Sequence, residues 1–297
     1  MISEAQRQAR AHGLGGSDAP IVLGISPYKS PVQLFMEKTG QATPPNLDDV
    51  EPVIFGNLLE GVVADEFARR TGIKLRRVNE TMIDRRDPYL FANIDRRVVG
   101  AAEVCEIKTV RALPDDQPRA DHQAQVMHYM HVGGFSRGWL VYLIGGQRLV
   151  WFEIQRNQEA IDCMVDTERT FWRHVRERVA PPPMSSFDVR LLFPSDNGGS
   201  VIASQQVINA TSRLAEIRAQ VKGLEKQAED AERIVTESMQ GAGTLLSDAG
   251  EILATWKTAK PSQTFDRARF EADHHELAQA YLAERPGSRR FLLKVAA

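Results

Sequence analysis

In VCEIKTV, apolar and polar positions alternate with the period of a strand, so Val104, Glu106 and Lys108 share one face while Cys105, Ile107 and Thr109 share the other. The apolar segment before it ends at Asp95, and a tight hairpin between the two would bring an Asp, a Glu and a Lys to one edge of a sheet. Upstream, steps of three and four predict a long helix that opens at Phe55, runs through Arg70 and stops at Gly72. Leu59, Val62, Val63 and Phe67 face a core from it, and Glu60 lies beside that stripe. QATPPNLDDVEP before it reads as a polar loop. VQLFMEKTG is a shorter amphipathic helix, with Val32, Leu34 and Phe35 inward and Gly40 as its stop. Residues 1–12 read as a helix carrying Arg7 and Arg10, followed by Gly13-Leu14-Gly15-Gly16-Ser17-Asp18, where Ser17 or Asp18 caps the helix that PIVLG begins.

Downstream, Asp121 to His131 predicts a helix bearing Gln123, Gln125, His128 and His131. SRGWLVYLIG and GQRLVWFEIQ are two strands joined at Gly145-Gly146, a hairpin signal. Gln158 to Val179 is a further helix with Ile161, Met164, Phe171, Trp172 and Val175 inward. The order predicts an α/β (α+β) fold, a mixed central sheet flanked by helices.

Pro181-Pro182-Pro183 then marks a boundary between a core domain, 1–183, and an appendage, 184–297. In the appendage Val207, Ala210, Leu214, Ile217, Val221, Leu224, Ala228, Ala231 and Val235 form a stripe of coiled-coil type, interrupted by Gly223. Such a stripe serves a long helix lying on its own domain or one paired with a second copy. GTLLSDAGEILATWKT predicts a hairpin across Asp248-Ala249-Gly250, and SRRFLLKV a final strand.

Composition narrows the class. A chain of 297 residues and 33.2 kDa, 42% hydrophobic and 26% charged, is an ordinary globular protein. Its two cysteines, Cys105 and Cys163, build neither a disulfide framework nor an iron–sulfur cluster, which suits a reducing cytoplasm. No run of about 18 apolar residues occurs and MISEAQRQAR has no signal-peptide core, so a soluble cytoplasmic protein without membrane attachment is expected. A net charge of −2 does not suggest a nucleic-acid partner, yet Arg69-Arg70, Lys74, Arg76-Arg77, Arg85-Arg86 and Arg96-Arg97 fall in the same third of the chain as the acids. A basic groove around acidic metal ligands is compatible with a sum near zero.

The chemistry follows from the donor types. Asp95 and Glu106 with room for water suit Mg²⁺ or Mn²⁺, hard ions that prefer oxygen and keep part of their hydration. Alone, an Asp followed by Glu-x-Lys is more often a solvated charge pair on an edge strand. The glycine-rich turn, its N–H groups, Ser17 and a nearby Arg would bind a phosphate together. The histidines of the Asp121–His131 segment match no zinc pattern and read as surface or packing residues.

These pieces, in this order, resemble the YqaJ-type viral recombinases, relatives of phage lambda exonuclease in the PD-(D/E)XK nuclease superfamily. RAHGLGGS, GISPYKSP, FGNLLEGVVADEFARRTG, ANIDRR, CEIKT, QAQVMHYM and the closing FW carry the likeness from Arg10 to Trp172. The resemblance implies that Asp95, Glu106 and the carbonyl of Ile107 hold Mg²⁺, with Glu60 on the same or a second ion. It implies that Lys108 positions and helps deprotonate the attacking water, that Gln125 orients water or Lys108, and that Arg10 and Ser17 contact the 5′ phosphate. Asp95-Arg96 departs from the family's usual Asp-Gly. The implied activity is a metal-dependent 5′→3′ exonuclease on double-stranded DNA ends. It leaves 3′ single strands for an annealing recombinase, in a homo-oligomer by analogy with the lambda ring. A structure-selective or restriction-like endonuclease, or a non-catalytic DNA-end scaffold, are the alternatives.

Overall fold

The computed structural model describes residue 10, residues 12–284 and residues 287–294. The expected helix over 1–12 lies almost wholly outside them. Two compact units divide the chain, Met1–Phe193 and Pro194–Ala297.

The first unit is built on a five-stranded sheet. Its strands are β1 (Leu75–Arg77), β4 (Arg96–Val98), β5 (Glu103–Val110), β6 (Arg137–Ile144) and β7 (Arg148–Gln155), paired in that order. The central β5–β6 pair is parallel and the others antiparallel, so the sheet is mixed. β2 (Met82–Ile83) and β3 (Phe91–Ala92) form a separate small ribbon. A parallel pair needs a crossover, and α4 (Ala120–Gly133) supplies it between β5 and β6. β6 and β7 need only a tight turn, and Gly145 and Gly146 provide it at φ 57° and 73°, a conformation that costs other residues a clash at Cβ.

The strand alternation distributes two cores. Val104, Leu140 and Tyr142 point into the larger, where Val126, Tyr129 and Met130 of α4 meet α1 (Ala19–Val22), α2 (Pro31–Lys38) and Ile161, Met164, Val165 and Phe171 of α5 (Gln158–Glu177). Cys105, Ile107 and Val141 point the other way, onto Val63, Ala64 and Phe67 of α3 (Glu51–Thr71), with Trp139 and Trp151 closing over Phe67.

Several local expectations are corrected. α3 begins at Glu51, four residues before Phe55, because Pro52 sits in a first turn whose N–H groups have no helical partner anyway. Val62 is 64% exposed and does not join the stripe of Val63 and Phe67. Asp18 occupies the N-cap of α1 without capping it; its Oδ2 accepts instead from Gly15 N at 3.1 Å and Lys38 Nζ at 2.9 Å. The first unit runs ten residues past Pro183, since α6 (Ser186–Leu192) packs back on α2, with Ser30 hydrogen-bonded to the buried Asp188.

In the second unit α7 (Gln205–Met239) is a single long helix whose Val207, Ile217, Val221 and Leu224 remain exposed. The predicted hairpin forms as β8 (Thr244–Leu246) and β9 (Ile252–Thr255). SRRFLLKV forms no strand among its described residues; α8 (Arg267–Asp273) and α9 (His275–Ala280), unforeseen, precede it. Among the described residues no helix is long and apolar enough to cross a membrane.

Candidate active site

β4 and β5 pair with Arg96 opposite Cys105 and Arg97 opposite Val104. That register carries Asp95, just ahead of β4, alongside Ile107, whose N–H donates to Asp95 Oδ2 at 3.0 Å. Glu106 and Lys108 turn to the α4 face, as the alternation predicts. Lys108 Nζ lies 2.7 Å from Glu106 Oε1. Gln125, reaching down from α4, closes the cluster: its Nε2 donates to Glu106 Oε1 at 2.7 Å and its Oε1 accepts from Lys108 Nζ at 2.8 Å. The same Nε2 donates to the Tyr129 hydroxyl at 2.7 Å. Glu106 Oε2 is buried and has no hydrogen-bond partner.

The electrostatics follow from burial and crowding. Burial first, then the facing Glu106 carboxylate, push Asp95 up to about 7, against the pull of Lys108 and the Ile107 N–H. Burial pulls the Lys108 ammonium down, but Glu106 and Asp95 outweigh it and leave the group above the usual lysine value. Burial and Lys108 push His122, at the start of α4, down to about 4. Tyr129 rises through burial and the nearby Glu106 and Asp95 carboxylates.

Asp95, Ile107, Glu106, Lys108 and Gln125 are therefore one cluster. Glu60 is not simply part of it. Its carboxylate is ion-paired with Arg96, whose Nη1 also donates to the Asp95 carbonyl at 2.9 Å. Burial and Asp95 raise Glu60, while Arg96 and Arg77 lower it. Arg10 is exposed and close enough to lower the Tyr129 hydroxyl electrostatically; Ser17 is exposed.

In the glycine-rich turn three N–H groups are taken up within the protein. Leu14 N donates to Tyr89 O at 2.7 Å, Gly15 N to Asp18, and Asp18 N to Gly15 O at 2.8 Å. Its glycines answer to packing: a Cβ on Gly16 would lie 2.2 Å from Cε1 of Tyr129. Gln123 is turned away from the cluster and donates to Pro118 O at 2.8 Å. His128 is a packing residue, fully buried, with Nδ1 2.7 Å from Glu168 Oε1 and Nε2 2.9 Å from Phe91 O.

Tyr129 and Glu168 were not singled out from the sequence. Tyr129 follows Gln125 by four residues, so helical spacing alone places both on one face. Glu168 occupies a core position of the α5 stripe, between Met164 and Phe171, where an acid implies a buried partner.

The donor set suits a hard divalent cation. Two carboxylates, one with an unsatisfied buried oxygen, offer oxygen ligands only and leave most of a shell to water. Among the described residues no three His, Cys, Asp or Glu side chains converge as a metal-holding group.

The YqaJ-like viral recombinase domain matches residues 7–136. A Bacillus subtilis (strain 168) protein, described as uncharacterized protein YqaJ, is 30% identical over 261 residues, 84% of this chain and 81% of that one. The crystal structure of LHK-Exo in complex with dAMP superposes at a TM-score of 0.50 with 16% identity, covering 60% of this chain and 94% of that one. LHK-Exo is an alkaline exonuclease from Laribacter hongkongensis, and a second structure of it matches at a TM-score of 0.49 and 15% identity, over 60% and 94% of the two chains. At such identities the likeness is one of fold, that of the nuclease type.

Proposed function

We propose that this chain, which belongs to the YqaJ-like viral recombinase family, is a metal-dependent deoxyribonuclease that resects double-stranded DNA ends 5′ to 3′. The observation that carries this reading is the Asp95–Glu106 carboxyl pair, with Asp95 half-buried and Glu106 buried, tied to Lys108 through Gln125 and holding one unsatisfied oxygen. Asp95, Glu106 and the carbonyl of Ile107 are the groups to hold Mg²⁺, with Mn²⁺ able to replace it. When bound, such an ion lowers the pKa of a water and stabilises a leaving oxygen.

The chain's own residues do the rest. Gln125 fixes Lys108 against Glu106, so the ammonium needs no reorganisation when charge develops on a phosphate. Because the acids hold Lys108 above its usual value, it serves in this arrangement as a cation and water-orienting donor more readily than as a proton acceptor. Arg10 and Ser17, exposed near the same helix, are offered to the phosphate at the 5′ end. The fold shared with a dAMP-bound exonuclease supports a site that handles nucleotides.

The reading extends to partners. A 3′ single strand is the substrate an annealing recombinase requires, and the exposed stripe of α7 supports a homo-oligomer. Two cysteines, both free, support a reducing cytoplasm.

Digestion of linear duplex DNA, 5′-phosphorylated or not, with Mg²⁺ or EDTA, tests the proposal. Release of mononucleotides from 5′ ends with Mg²⁺, abolished by Lys108→Ala, is the expected result. Cutting of closed circles would make it an endonuclease, and binding without products under Mg²⁺ or Mn²⁺ would overturn the enzyme reading.

A further inference from the structure

We infer that Arg96 is the built-in second cation of this site: its guanidinium occupies Glu60, so the Asp95–Glu106 pair takes a single divalent ion. The inference rests on the metal-dependent reading above and adds to it the site's stoichiometry.

Glu60 is already engaged on two sides. Arg96 pairs with it while also bonding the Asp95 carbonyl at 2.9 Å, and only 11% of the Arg96 side chain and 22% of the Glu60 side chain remain exposed. An ion pair so placed is less screened by solvent than a surface pair. The guanidinium lies against α3, where a Cβ on Gly61 would stand in ordinary contact with Arg96 Nη2 at 3.9 Å.

The strand register supplies a second argument. Arg77 of β1 stands directly opposite Arg96 of β4. Like charges at directly opposed positions of an antiparallel pair repel, and an anion that both can reach relieves that repulsion. Glu60 is the anion at hand, ion-paired with Arg96. Its charge is therefore accounted for within the protein, and a guanidinium cannot shed its own charge to admit a competing cation.

The consequence is a division of labour. One ion sits with Asp95 and Glu106, and the planar fork of Arg96, beside Asp95, presents fixed positive charge to a phosphate oxygen on the Glu60 side. In a two-ion site a second metal would supply that charge.

The test is a count of bound Mn²⁺ on the full chain, by calorimetric titration and by electron paramagnetic resonance of free Mn²⁺. One ion per chain is expected in the wild type and two in Arg96→Ala, where Glu60 is released. Glu60→Gln in the wild-type background leaves the count at one and the affinity within about threefold, below the roughly 10–100-fold loss of an outer-shell partner. Asp95→Asn abolishes binding.

Two ions in the wild type overturn the inference and leave the metal-dependent reading standing. So does a count of one in a folded Arg96→Ala. If Arg96→Ala does not fold, the Glu60→Gln arm decides, and loss of an ion or a tenfold weakening there overturns it. No bound ion in the wild type overturns both.

Discussion

Lys108 and Gln125, 17 residues apart in sequence, meet at 2.8 Å from Nζ to Oε1, across the gap between the parallel strand β5 and the helix that crosses over from it. The contact joins two functional groups whose separate elements would otherwise vary independently. It also lets a single amide define the distance between an acid and a cation.

Gln125→Ala removes that tie. Lys108 and Glu106 then lose their shared anchor, and misplacement on the scale of 1 Å lowers nuclease rate by about a hundredfold. The accompanying loss of stability is about 1–3 kcal/mol. Nucleotide release from linear duplex and urea denaturation measure the two effects separately.

Asp95→Asn makes the metal-free protein more stable at pH 8. The folded carboxyl sits up at about 7, against about 3.9 in the unfolded chain, so between those values the folded state holds a proton that the unfolded state has released. Wild-type stability therefore falls as pH rises from about 4 to about 7. Asparagine removes that slope and gains on the order of 2 kcal/mol at pH 8, discounted for Asp95's partial exposure. Urea titrations in EDTA at pH 5 and pH 8 check this; equal differences at both pH values would refute it.

The His128–Glu168 pair predicts a slope at higher pH. Burial pulls His128 down, while Glu168 and the Phe91 carbonyl hold its proton and raise it overall. A raised histidine contributes stability that is complete below the unfolded value of about 6.5 and lost as pH climbs through the folded value. His128→Phe flattens the profile above pH 6.5. It also lowers stability at pH 6 by about 3–5 kcal/mol, because Glu168 is left buried and unpaired. Urea midpoints at pH 6 and pH 9 for both proteins provide the comparison.

Gly16→Ala drives a methyl to 2.2 Å from the buried Tyr129 ring, whose hydroxyl is held by Gln125. The expected cost is about 1–3 kcal/mol. Tyr129 also moves off Gln125, so nuclease rate falls along with the urea midpoint. An unchanged midpoint would show that the turn relaxes freely.

Much of the core was legible because its signals are local. The alternation in VCEIKTV is a property of extended backbone, and the side chains of Glu106 and Lys108 point where the period puts them. Gly40, Gly72 and Gly134 end their helices at positive φ, a conformation that glycine alone reaches without strain, so the sequence states those stops directly. SRRFLLKV shows the limit of such reading: an apolar run becomes a strand only where another strand offers it a ladder, and its described residues find none.

The site divides in the same way. Sequence alone determined that Asp95 would meet the strand carrying Glu106 and Lys108, since a hairpin and a period of two require nothing from the rest of the chain; that this strand lies at the centre of the sheet and not at its edge was decided by the fold. Tertiary structure alone decided who partners Glu60. Its neighbours on α3 say nothing of Arg96 or Arg77, which come to it through the β1–β4 register and the packing of α3 on the opposite face of the sheet. An ion pair is a choice among charges within a few ångströms, and sequence spacing does not rank charges that the fold has yet to bring together.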